Sequence, residues 1–141
     1  MNFVIDASVA IKWFVEESLT DAALRLLERP EPFHAPEFIV VEMANIAWKK
    51  VVRGEIGHEQ AGDIVNSVQS GDLEFYSTNA LNSRALEIAL DLRHPVYDCL
   101  YIACAEAVGE GWVVTADGRL GASVADTPYA GLVAHISDIV G

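Results

Sequence analysis

Short apolar runs that end in an acid or a turn residue alternate along the chain with longer stretches whose apolar residues recur every three or four positions. Phe3-Val4-Ile5, closed by Asp6, is the first run, and unbroken apolarity over three residues suits a strand covered on both faces. Ser8 ahead of Val9-Ala10-Ile11-Lys12-Trp13-Phe14 predicts an N-cap opening a helix. Ser18-Leu19-Thr20-Asp21 has the form of a capping box, and Leu19, Ala23, Leu26 and Leu27 make one stripe that stops before Pro30. Phe33-His34-Ala35, closed by Pro36, predicts a second short strand, and Glu37 to Arg53 a long helix ended by Gly54.

Gly57-His58 opens a further amphipathic helix through Ala61, Ile64, Val65 and Val68, with Gly71 as its stop, and Leu73 to Tyr76 follows as a strand. Thr78 or Asn79 is expected to cap a helix carrying Leu81, Ala85, Ala89 and Leu92; His94-Pro95-Val96 interrupts it before Tyr97 to Val108 resumes the pattern. Gly109 and Gly111 bracket a break, Trp112 to Thr115 is a buried strand, and Leu132 to Ile136 is a weaker last one. Strands alternating with helices at this rhythm predict an α/β protein with a mainly parallel sheet covered on both faces. Right-handed crossovers then bring all strand carboxyl ends to one rim.

Composition narrows the class. With 141 residues and 52% of them hydrophobic, the chain has the length for one domain, residues 1–141, with a substantial core. Nine Lys and Arg against 21 Asp and Glu give a formal net charge of −12, which argues against general attraction to phosphate. Nucleic-acid chemistry would have to be local and metal-assisted. Cys99 and Cys104, five apart in one helix, point about 140° apart around its axis, so reduced, buried thiols are expected. The four histidines are scattered, with no zinc spacing. The N-terminus lacks the basic residues of a targeting peptide, and no uncharged run approaches the ~20 residues that cross a bilayer. A soluble cytoplasmic protein is the expectation.

Four acids are candidates for the chemistry. Asp6 and Asp117 stand just past the carboxyl ends of the first strand and the strand ending at Thr115, and open parallel sheets bind ligands there. Asp98 falls in the first turn of a helix, a position that the helix dipole favours whatever the function. Glu42 interrupts Phe38-Ile39-Val40-Val41 and Met43-Ala44, so it must be paired, protonated or metal-bound; a structural ion pair, with Lys49 on a similar face, stays open. Four carboxylates meeting without a counterion would repel, and a hard divalent cation removes that conflict.

Val4-Ile5-Asp6-Ala7-Ser8, Glu42 in the long helix, Pro95-Val96-Tyr97-Asp98 and Val114-Thr115-Ala116-Asp117 together resemble the PIN-domain ribonucleases, specifically the VapC-type toxins of VapBC toxin-antitoxin pairs. The resemblance runs in order along nearly the whole chain. It implies a three-layer α/β/α sandwich, RNA cleavage dependent on Mg²⁺ or Mn²⁺, a homodimer, and neutralisation by a small antitoxin whose tail occupies the acidic groove. Asp6, Glu42, Asp98 and Asp117 become the metal-binding and catalytic acids, with Ser8 and Thr115 as hydroxyls that bond a carboxylate or water. Helix capping for Ser8 and plain strand propensity for Thr115 are the competing readings.

Arg119 is a candidate phosphate contact, as is Lys12, for which a solvated lysine is the simpler reading. Gly118 departs from the charged residue that many relatives carry after the aspartate. Lys49, Lys50 and Arg53 complement the dipole at the end of the long helix, and Trp13, Phe14, Trp48 and Tyr101 read as packing or interface groups. A PIN-type RNA-processing nuclease and a non-catalytic acidic module docking a basic partner are the alternatives. The chain lacks the Asp-x-Asp-x-Thr of aspartate-nucleophile phosphotransferases and the acidic pair of receiver domains.

Overall fold

The computed structural model describes residues 1–140. Five strands, β1 (Asn2–Ile5), β2 (Phe33–Pro36), β3 (Glu74–Tyr76), β4 (Gly111–Thr115) and β5 (Val133–His135), form one sheet in the order β3-β2-β1-β4-β5, and every pairing is parallel. The helices are α1 (Ala7–Ala10), α2 (Thr20–Leu27), α3 (Ile39–Val52), α4 (His58–Ser70), α5 (Thr78–Leu92), α6 (Val96–Val108), α7 (Gly118–Val124) and α8 (Ile136–Val140). This is the α/β/α sandwich with a parallel central sheet that the sequence predicts. Phe3, Val4 and Ile5 are all fully buried although successive side chains point to opposite faces, so β1 is covered on both sides. Among the described residues no helix is long and apolar enough to cross a membrane.

Strand order fixes where the site lies. β2 and β3 extend from one side of β1 while β4 and β5 extend from the other, so β1 and β4 flank the point where the winding reverses. Right-handed crossovers then send the connections of the two halves to opposite faces and open a crevice beyond the carboxyl ends of β1 and β4. Asp6 and Asp117 stand at those two ends. α6 packs across β1, β2 and β4 and is itself covered by α5. The approach of α6 to β4 is close: a Cβ at Gly111 would lie 2.6 Å from the Ala105 carbonyl oxygen, and Gly109, at φ 77°, ends the helix.

Several helix starts differ from expectation. Ser8 lies inside α1, Asp6 occupies the N-cap position, and the helical turn passes into a 3₁₀ turn at Ile11–Trp13. The Ser18 capping box does not form; Leu19 precedes α2 at φ 68°, and the Thr20 hydroxyl accepts from Glu17 N and donates to the Val15 carbonyl. α5 is capped by Ser77, whose hydroxyl accepts from Ala80 N. Thr78 instead accepts from Phe38 N at 3.0 Å and ties the starts of α3 and α5 together at the rim. The last strand is shorter than the Leu132–Ile136 run, because Ile136 already opens α8.

Candidate active site

Asp6, Glu42, Asp98 and Asp117 all line one open groove of about 850 Å³ at the carboxyl rim, with Ser8, Asn45, Lys49, His94, Tyr97 and Arg119 among its other walls. Asp6 is delivered by β1 and held by hydroxyls from two elements: Ser8 donates to its Oδ2 at 2.6 Å and Thr115 to the same oxygen at 2.8 Å. Ser8 also accepts from Ala116 N at 3.0 Å, which stitches the end of β1 to the end of β4. Ser8 thus bonds a carboxylate in place of capping a helix, and Thr115 joins it on the same oxygen. Burial pushes the Asp6 carboxyl up, the two hydroxyls pull it down, and the nearby Asp98 pushes it up again.

Glu42, in the first turn of α3, is not paired with Lys49; its Oε1 accepts the hydroxyl of Tyr101 at 2.6 Å. Burial lifts its carboxyl from 4.5 to about 7 despite that bond, with Asp6 and Asp98 adding to the rise. Asp98, in the first turn of α6, sits 2.6 Å from His94 Nε2. Asp117 is gripped by Arg119: the guanidinium reaches Oδ2 at 2.7 and 2.9 Å and the backbone N–H reaches Oδ1 at 2.9 Å. That guanidinium holds the Asp117 carboxyl below its usual range.

Tyr101 and His94 each bond one of these acids, and sequence reasoning missed both. Tyr101 sits in an apolar helix and reads as packing; His94 precedes a proline in a segment that reads as a break. Spacing tied only Tyr101 to an acid: Asp98 and Tyr101, three apart, share one face of α6, whereas His94 lies ahead of the helix, before Pro95.

Lys12 does not reach the groove. Its Nζ lies 2.8 Å from Glu17, whose other oxygen takes Lys50 at 2.8 Å, and the two lysine side chains are only 11% and 13% exposed. A shared carboxylate buries both ammonium groups, so Lys12 is neither a solvated lysine nor a phosphate contact. Arg119 lines the groove, with its side chain 87% exposed. Cys99 and Cys104 are buried and unbridged, and burial pushes their thiols up to about 11 and about 12, so neither supplies a thiolate.

The PIN domain family model matches residues 3–124. The chain belongs to the PIN-domain family. It falls in the VapC branch: ribonuclease VapC3 of Pyrobaculum aerophilum is 30% identical over 126 residues, spanning 85% of this chain and 92% of that protein. Among solved structures, a Pyrobaculum aerophilum protein superposes with a TM-score of 0.70 at 20% identity, over 99% of this chain and 87% of that one. The sarcin-ricin loop cleaving toxin VapC20 of Mycobacterium tuberculosis does so at 0.65 and 15%, over 86% and 94%. A toxin-antitoxin complex from Klebsiella pneumoniae gives 0.67 and 14%, over 94% and 96%. At these identities the structural likenesses establish the PIN fold.

The donor set of this PIN domain suits a hard cation. Four carboxylates face one groove, two of them, Asp6 and Glu42, pushed towards protonation by burial and by neighbouring acids, and the cationic side chains lining it are Lys49 and Arg119. Oxygen donors of this kind select Mg²⁺ or Mn²⁺ over softer metals. Among the described residues no three His, Cys, Asp or Glu side chains stand close enough together to grip an ion. Each acid instead turns to its own donor: Asp6 to two hydroxyls, Glu42 to a phenol, Asp98 to an imidazole, Asp117 to a guanidinium.

Proposed function

We propose that this PIN domain is a divalent-metal-dependent endoribonuclease, and that it serves as the toxin of a type II toxin-antitoxin pair. One observation carries the reading: acids from β1, α3, α6 and the end of β4 line a single groove at the point where the sheet reverses its winding. Asp6, Glu42, Asp98 and Asp117 would hold the ion. The ion, when bound, supplies an activated water and offsets the charge that builds on a phosphodiester as it is cut. The chain's own residues do the rest. Ser8 and Thr115 fix Asp6 Oδ2, and His94 orients Asp98. Arg119 and Lys49 offer the groove's positive charge to a phosphate backbone, on a protein whose net charge of −12 would otherwise repel it.

The toxin role draws on the named relatives: VapC3 is a ribonuclease, and a Rickettsia felis VapBC2 complex also shares the fold. An acidic groove suits the basic tail of a small antitoxin, which would block RNA by taking the same carboxylates. A second copy of the chain would cover the exposed stripe of Val41, Trp48 and Val52 on α3, which are 60%, 60% and 67% exposed, giving a homodimer. Free, buried thiols suit the reducing cytoplasm, where the RNA substrate is.

The test is incubation of purified protein with total cellular RNA, with and without Mg²⁺ or Mn²⁺, beside Asp98→Asn. Metal-dependent fragments with the wild type and a loss of orders of magnitude in the variant support the nuclease. Cleavage that ignores chelator, or that survives in Asp98→Asn, refutes it. A non-catalytic acidic module would bind a basic peptide without cutting RNA, and Mg²⁺ would weaken that binding.

A further inference from the structure

Tyr101 is fully buried, and its one polar side-chain atom reaches across a helix boundary to donate to Glu42 Oε1 at 2.6 Å. Phenylalanine would fill the same space without the cost of burying a hydroxyl, so packing alone does not account for a tyrosine here. What the hydroxyl does account for is the carboxylate. Glu42 has three side-chain torsions and stands near Asp6 and Asp98, whose charges repel it. Without a donor it would swing out of the groove to water. A lysine or arginine in place of Tyr101 would also hold it, but would neutralise the charge that a cation needs. A neutral donor fixes the geometry and leaves the charge in place.

We propose that Tyr101 is a positioning residue: its buried hydroxyl engages Oε1 and holds Glu42 in the groove, so that a divalent cation meets an oriented carboxylate. The proposal rests on the metal-nuclease reading above. Because Asp98 and Tyr101 are three residues apart on α6, one helix face both supplies an acid and orients another that belongs to α3. The register of α6 against α3 thereby sets the distance between two of the four acids.

The experiment compares wild type, Tyr101→Phe, Glu42→Ala and the double variant by Mn²⁺ titration calorimetry, by kcat and KM on an RNA substrate, and by melting in chelator. Tyr101→Phe is expected to remain folded, to weaken Mn²⁺ binding and lower kcat by about 10- to 100-fold, and to leave KM for RNA unchanged. In the Glu42→Ala background the same change should add no further loss of Mn²⁺ affinity, since the group it acts through is gone. Equal losses in both backgrounds would make Tyr101 a general structural residue and overturn the proposal, as would wild-type Mn²⁺ affinity and kcat in Tyr101→Phe. A wild-type protein that neither takes up Mn²⁺ nor cuts RNA would overturn the nuclease reading itself and this role with it.

Discussion

Glu42→Gln removes one charge from the groove while keeping an oxygen that accepts from Tyr101, which isolates the electrostatic cost of the site. Burial, reinforced by Asp6 and Asp98, moves the carboxyl from 4.5 to about 7, so the folded protein holds that proton more tightly than the unfolded chain does. Stability therefore falls as pH rises from about 4.5 to about 7, and the whole penalty is present above that window. Each unit is worth about 1.4 kcal/mol, giving a ceiling of about 3 kcal/mol, and about 2 kcal/mol once screening by water in the open groove is allowed for.

Thermal melts in EDTA should place Glu42→Gln about 4–8 °C above wild type at pH 8, with the gap closing near pH 4.5. Asp6, raised mainly by burial, adds a slope of the same sign that both proteins share. Mg²⁺ at about a hundred times its Kd should then add about 2.7 kcal/mol to the wild type and less to the variant, reversing their order. A variant no more stable than wild type at pH 8, or a gap that does not change with pH, would refute the electrostatic account of the groove.

Arg119→Ala frees Asp117 from its guanidinium partner, so Mn²⁺ binding by calorimetry should tighten by up to about fivefold, as an exposed ion pair allows, while RNA cleavage falls. Unchanged Mn²⁺ affinity would show that the arginine does not compete with the cation. In chelator, Asp98→Asn should melt at or slightly above wild type, because one repelling charge has gone and His94 keeps a partner; a large drop would mark Asp98 as structural. Gly111→Ala forces a Cβ to within 2.6 Å of the Ala105 carbonyl oxygen, and circular dichroism melts should record a loss of about 1–3 kcal/mol. An unaffected melt would refute a tight backbone contact between β4 and α6.

The strands and most of the helices were legible because periodicity and turn residues act over a few positions. Phe3-Val4-Ile5 then Asp6 announces a doubly covered strand and a carboxylate at its end, and Trp112 to Thr115 followed by Asp117 does so again. All four acids could be named as candidates for the same local reason: each interrupts an apolar pattern or closes one.

Only the tertiary structure decided that Thr115 meets Asp6 and that Tyr101 meets Glu42, whereas Ser8, His94 and Arg119 lie within four positions of the acids they bond. Strand order β3-β2-β1-β4-β5 brings Thr115 to Asp6 across 109 positions and Ala116 N to the Ser8 hydroxyl across 108. Tyr101 reaches Glu42 across 59 positions, and Lys12 and Lys50 meet on Glu17 because α3 folds back beside the first turns of the chain. Local hydrogen-bonding rules assume that a hydroxyl or an ammonium group finds its nearest neighbour in sequence or water. Burial removes the water and supplies neighbours from other elements, and the choice among them belongs to packing.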